Sequence, residues 1–214
     1  MKQDAEYYNE KTKEAWNNGN YEEALEYNRK AVELNPKCER YHYNTGELMK
    51  KLNRMDEAKK AFQKGIDANP ERADGYRLLG EVHAETKDYN TATELYHKAL
   101  SLNPDDGNII YDMGLVCIER KEYEAAVECF TRAIEKGYRN HYPYLFRAVV
   151  YNNNLHQYDK ALEDINMAIK YEPNDFMMLG LKAAIYNNLQ DTVNFNKTFD
   201  EMEENFGPDG RVVN

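Results

Sequence analysis

Cysteine, tryptophan and excess positive charge are all scarce in this chain. Its 214 residues include three cysteines and one tryptophan. The cysteines, Cys38, Cys117 and Cys129, are odd in number, widely spaced and without a CxxC pair. A disulfide framework is disfavoured, and free thiols in a reducing compartment are expected. No apolar run approaches the ~20 residues that span a bilayer, which excludes an integral membrane helix. The opening MKQDAEYYNE has no apolar stretch of the secretory type. A cytoplasmic chain is expected, unless a leader has been removed upstream. Basic side chains number 28 against 38 acidic ones, for a net charge of -10. Nucleic acid and membrane surfaces are therefore poor partners.

Catalytic signatures are missing too. No glycine-rich phosphate loop, GxSxG or HExxH occurs. Of the five histidines (His42, His83, His97, His141 and His156) no two stand four apart on one helix, and none pairs with cysteine at a metal spacing. His42 and His83 are expected to pack, and Cys117 and Cys129 to behave as small core hydrophobes. Carboxylates such as Glu22, Glu23 and Glu26 fall on an outer helix face rather than in a pocket. The expectation is no enzyme, no cofactor and no metal.

What the chain does have is a repeat. Pro36, Pro70 and Pro104 stand 34 apart, and Pro173 follows 69 later. Ala24, Ala58, Ala92, Ala126 and Ala161 keep that register, as do Tyr21, Met55, Tyr89, Tyr123 and Tyr158. Thr12, Gly46, Gly80, Gly114, Ala148 and Ala183 form a fourth column. All share one inserted residue. Each period holds two stretches of helical periodicity around a polar turn such as Asn18-Gly19-Asn20. Small residues in the first stretch are expected to face small residues in the second, letting two helices approach closely. Asn-Pro pairs at 35–36, 69–70 and 103–104 close each second helix. No period can bury its apolar face alone, so stability comes from stacking. The mean hydropathy of -0.91 suits an elongated molecule with much surface.

The columns Leu79, Gly80, Tyr89, Ala92, Tyr96, Ala99 and Pro104 resemble the tetratricopeptide repeat family. The resemblance implies an all-α, right-handed superhelical solenoid of about six helix-turn-helix hairpins. The units run 5–38, 39–72, 73–106, 107–140, 141–175 and 176–209, forming one array over 1–209 with a 210–214 tail. Unit five carries an extra residue in its turn, within 152–157. Unit four ends Lys136-Gly137-Tyr138 where a proline is expected, and Pro143 falls in the first turn of the next helix, where proline is tolerated, so the junction reads as rebuilt rather than broken. Unit six has Thr192 and Phe195 where the tyrosine and alanine belong, and reads as a degenerate cap.

In this family the first helix of each unit lines a concave surface that commonly holds extended peptides. The resemblance places Asn9, Lys13, Asn17, Arg40, Tyr43, Asn44, Glu47, Lys51, Arg77, Leu78 and Glu81 there in units one to three. Units four to six add Tyr111, Asp112, Leu115, Ile118, Leu145, Phe146, Val149, Asn152, Leu181 and Asn187. The lining thus turns from charged to apolar along the chain, and an apolar strip marks a binding surface. The ligand site is placed in the C-terminal half. There Tyr111, Leu115, Ile118, Leu145, Phe146, Val149 and Leu181 would form pockets, while Asn152, Asn153, Asn187 and Asn188 would bind main chain. The same asparagines would serve simply to end helices. A chaperone-type carboxylate clamp is not expected: its positions hold Asn9, Lys13, Asn44, Asp74 and Leu78, of which only Asn44 matches.

The function expected is a non-catalytic scaffold binding a peptide or protein segment of unknown identity. Two other readings stay open: a structural module that self-associates, and an accessory domain of a larger protein. Unit two is the basic one, with eight Lys and Arg against six acids, and unit three has three against seven.

Overall fold

The computed structural model describes residues 4–173 and 175–206; the tail expected at 210–214 lies outside them. The described residues form twelve α-helices and no strand. They fall into two compact bodies, 1–105 and 106–214. The N-terminal body contains α1 (Ala5–Asn17), α2 (Tyr21–Leu34), α3 (Glu39–Lys51), α4 (Met55–Ala68), α5 (Ala73–Glu85) and α6 (Tyr89–Leu102). The C-terminal body contains α7 (Gly107–Glu119), α8 (Tyr123–Glu135), α9 (Tyr142–Asn153), α10 (Tyr158–Tyr171), α11 (Phe176–Asn188) and α12 (Thr192–Asn205). Consecutive helices pair into three antiparallel hairpins in each body, and each hairpin packs on the next one within its body. No helix among the described residues is long and apolar enough to cross a membrane.

Sequence explains where the first helices stop. After α1, Gly19 adopts φ 76°, its N–H donates to the Trp16 carbonyl, and the Asn20 N–H donates back to Ala15 at 2.9 Å. This left-handed cap satisfies the carbonyls that a helix end leaves open. Asn53, Lys87, Lys121 and Gln190 hold the same conformation without being glycine. In the fifth hairpin the extra residue lengthens the cap, so that the Gln157 N–H reaches Tyr151 at 2.9 Å. Two second helices start at aspartate caps: Asp88 accepts from the Thr91 N–H and Asp191 from the Asn194 N–H. Pro143 occupies the first turn of α9.

The alanine column is fully buried at Ala24, Ala58, Ala92, Ala126 and Ala161. The glycine column works differently from the small-against-small expectation. A Cβ on Gly46 would strike the Phe62 ring, on Gly80 it would lie 2.7 Å from Tyr96, and on Gly114 2.7 Å from Phe130. Each glycine therefore admits an aromatic ring carried one helical turn beyond the alanine, and that ring fills the hairpin. The N-terminal core gathers Tyr43, Met49, Phe62, Ile66, Leu79 and Val82. The C-terminal core gathers Ala148, Ala161, Ile165, Ala168, Met178 and Ile185. In the last hairpin, Leu179, Met202 and Phe206 form a further cluster against Ile169. The outer face of α12 leaves Val193 and Phe199 exposed.

Candidate peptide-binding groove

Within the C-terminal body, the residues expected to bind ligand lie on α7, α9 and α11, the first helices of its three hairpins. Tyr111 and Phe146 come together, with ring centroids 6.1 Å apart, and Phe146 stacks on buried Phe130 at 6.1 Å and 23°. Tyr138 lies 4.9 Å from Tyr111, and Tyr142 lies 6.4 Å from both Tyr111 and Phe146. Burial pushes the Tyr111 hydroxyl well above the ordinary phenol range, with Tyr138 and Asp112 adding to it. Tyr142 is 42% exposed while Phe130 is fully covered, so the cluster grades from core to surface. Leu115, Ile118 and Val149 are half-buried. Leu145 and Leu181 are half-buried too, packed against the core of Ala148, Ile165 and Met178.

The asparagines are arranged as a chain. Asn188 Nδ2 donates to Asn152 Oδ1 at 2.9 Å, and Asn152 Nδ2 donates to Asn153 Oδ1 at 2.7 Å. Asn152 is buried; Asn153, Asn187 and Asn188 are exposed. This ties α9 to α11. Also on α9, Arg147 donates from Nε and Nη2 to the two Asp164 oxygens on α10 and from Nη1 to Thr131 Oγ1 on α8, each at 2.7 Å. One guanidinium therefore ties α8, α9 and α10 together.

The charged lining expected in the N-terminal body is largely spent on itself. Asn9 is fully buried, donating to Glu6 and accepting from Asn44 at 3.1 Å. Tyr43 is in the core rather than at the surface. Arg40 pairs with Glu6 at 2.8 Å, and Lys51 Nζ sits 6.0 Å from the Trp16 ring. Lys50, 12% exposed, reaches Glu81 at 2.7 Å and Glu85 at 2.9 Å. His42 packs with Nε2 2.8 Å from the Pro36 carbonyl, and His83 sits 2.9 Å from Asp88. Cys117 and Cys129 are half-buried and hydrogen-bonded to each other, which, with burial, pushes the Cys129 thiol up. Among the described residues no group of three or more His, Cys, Asp or Glu is placed to hold a metal ion.

A sequence profile described as Tetratricopeptide repeat matches residues 15–82 and 83–148, more than half of the chain. The chain belongs to the tetratricopeptide repeat family. This tetratricopeptide repeat protein is 43% identical over 58 residues to the uncharacterized protein MJ0572 of Methanocaldococcus jannaschii, a match spanning 27% of this chain and 67% of that one. Its fold is similar to that of Pseudomonas aeruginosa pilF, with a TM-score of 0.81 at 18% identity over 93% of this chain and 90% of the other. It is also similar to YrrB, described as a TPR protein with an unusual peptide-binding site, with a TM-score of 0.61 at 24% identity over 85% and 93%.

Two parts of this tetratricopeptide repeat protein escaped the sequence reading. Tyr138 stands in the proline column, 34 residues after Pro104; the sequence marks that junction as rebuilt, but that the Tyr138 ring joins the cluster at Tyr111 was not inferred. Asp164 falls three residues after the buried Ala161, in the column of Ala61 and Leu95. A carboxylate in an apolar column signals a buried partner, which is Arg147.

Proposed function

We propose that the protein is a non-catalytic interaction scaffold that binds an extended peptide or protein segment along α7, α9 and α11. The observation that carries this reading is the graded aromatic cluster of Tyr111, Tyr138, Tyr142 and Phe146, anchored on buried Phe130 and open at Tyr142. Aromatic side chains provide large apolar contact at low entropic cost, and interfaces are enriched in them. The Arg147 tie holds α8, α9 and α10 together, and fixing the helices that carry the surface lowers the cost of binding. YrrB, similar in fold, is described as having a peptide-binding site, and membership of the repeat family favours a scaffold over an enzyme.

With Asn152 committed to Asn188 and Asn153, the amides left to meet a peptide main chain are those of Asn153, Asn187 and Asn188 at the surface. Apolar side chains of the ligand would rest on Tyr142, Phe146 and Val149. The test is selection from a displayed random peptide library, followed by titration of a selected peptide against variants. Phe146→Asp and Val149→Asp are each expected to weaken binding at least about tenfold, because a carboxylate would be desolvated beneath the ligand. Circular dichroism checks that both variants stay helical, and Val149 is the side chain less involved in ring stacking. Unchanged binding in a folded Val149→Asp protein, with loss on reversing charge at Arg40, Lys51 and Arg77, would move the site to the N-terminal body.

A further inference from the structure

The N-terminal body contains a hollow that the proposed groove does not use. It is a cavity of about 250 Å³ between α1 and α3, lined by Thr12, Lys13, Trp16, Asn17, Asn44 and Glu47. Whole small-molecule sites occupy roughly 300–1,000 Å³, so this space suits one side chain rather than a cofactor. Its walls combine an indole, a carboxylate, two amides, a hydroxyl and the Lys13 side chain.

The carboxylate is the unusual part. Glu47 Oε1 is shielded from solvent and has no hydrogen-bond partner. Lys50 Nζ lies 4.0 Å away, with closer contacts to Glu81 at 2.7 Å and Glu85 at 2.9 Å. Arg77 is directed to Glu81 at 3.6 Å. Lys13 is held by Glu10 at 2.7 Å on the same helix. Burial pushes the Glu47 carboxyl up, only partly offset by Lys50. Oε1 stays shielded, but the Glu47 side chain as a whole is 34% exposed and lines the hollow, so a donor there meets the carboxylate at its accessible side. Beside it, the Trp16 ring already draws a cation, the Lys51 ammonium, to 6.0 Å from its centroid. Lys51 is exposed.

We propose that this hollow is a recognition site for an arginine side chain of a peptide or protein partner, with the guanidinium donating to Glu47 and lying against Trp16. Arginine fits better than lysine here. Its planar fork presents several donors in one plane, so one edge can meet a carboxylate while the face stacks on an indole. Asn17 and Asn44 supply amide groups at the rim for the flanking main chain. The surrounding charges balance: Lys13, Lys50, Lys51 and Arg77 face Glu10, Glu47, Glu81 and Glu85. Selectivity for a cation therefore comes from the Glu47–Trp16 pair rather than from a general acidic field. Lys51 competes for the ring as an internal cation.

Trp16 is the chain's single tryptophan, so its emission, excited above the tyrosine band, reports on this hollow and not on the C-terminal groove. The probe is acetyl-Gly-Arg-Gly-amide, compared with the same tripeptide carrying citrulline, a neutral isostere of arginine. The expected result is a saturable change in Trp16 emission with the arginine peptide, with affinity lower by at least about tenfold for citrulline. Glu47→Gln should weaken arginine binding by a similar factor, whereas Lys51→Ala should strengthen it. Glu94→Gln, an exposed carboxylate change on α6, should do neither. Thermal unfolding confirms that each variant is folded, and Glu47→Asp, which keeps the charge but shortens its reach, provides a second variant at the same position. Equal binding of the citrulline peptide, full affinity in both Glu47 variants, or no saturable change at all would overturn the proposal. These outcomes are independent of whether a library peptide binds at Phe146.

Discussion

Asn188 donates its side-chain amide to Asn152 Oδ1 across 2.9 Å, from the last turn of α11 to the last turn of α9, 36 residues apart in the chain. Two side chains placed by the sequence as binders of peptide main chain thus hold one another, and Asn152 passes the bond on to Asn153 at 2.7 Å. Alanine at Asn152 is expected to cost about 1–3 kcal/mol, since it leaves bonded groups without partners. Alanine at Asn188, which is exposed, is expected to cost less than about 1 kcal/mol. Urea unfolding of the two single variants and the double variant should give a coupling of at least about 0.5 kcal/mol. Additive losses would mean that the bond contributes nothing to stability.

Arg147 and Asp164 form a buried ion pair, with side chains 16% and 7% exposed. Removing one partner strands the other charge, so Asp164→Asn is expected to destabilise the protein by about 3–5 kcal/mol. Replacing both at once, with Arg147→Met and Asp164→Leu, should recover most of that loss, because an apolar pair needs no solvation in place of water. Denaturant midpoints with unchanged slopes would check both results. A double variant as unstable as the single one would show that Arg147 matters through Thr131 instead.

Tyr43 sits against two glycines. A Cβ on Gly65 would strike its ring, and one on Gly75 would lie 2.5 Å from its hydroxyl. That hydroxyl has no partner, and burial pushes it up to about 12. A phenol raised in the folded state favours folding in its neutral form. Its contribution is fully present below its ordinary value near 10 and is lost as the pH rises to about 12. Tyr43→Phe is expected to raise stability by about 1 kcal/mol at pH 7, since a buried unsatisfied group disappears. The advantage of the variant should then widen between pH 10 and 12. A constant difference across that range would show that the hydroxyl does not titrate in the folded protein.

The hairpins were readable in the sequence because their causes are local. Alanine and glycine columns set how closely two helices approach, Asn-Pro pairs end the second helix, and a short polar turn forces the chain back. Each of these acts within one period. Even the extra residue of the fifth hairpin was visible, and the structure shows it absorbed in the cap at 154–157. The aromatic rings admitted by Gly46, Gly80 and Gly114 were not inferred, although Phe62, Tyr96 and Phe130 stand four residues after the alanines.

The polar lining was decided only by tertiary structure. Near the end of a first helix, one side chain meets a residue about one period later. Trp16 meets Lys51, Lys50 meets Glu85, and Asn152 meets Asn188. The same relationship yields a cation–π contact, an ion pair and an amide bond, because each depends on which two side chains the stacking brings face to face. Sequence placed these residues on the first helices. Whether they were left for a ligand or spent on one another depended on the neighbouring hairpin, and so Lys50 and Asn152 are occupied while the Glu47 and Trp16 side chains line an open hollow.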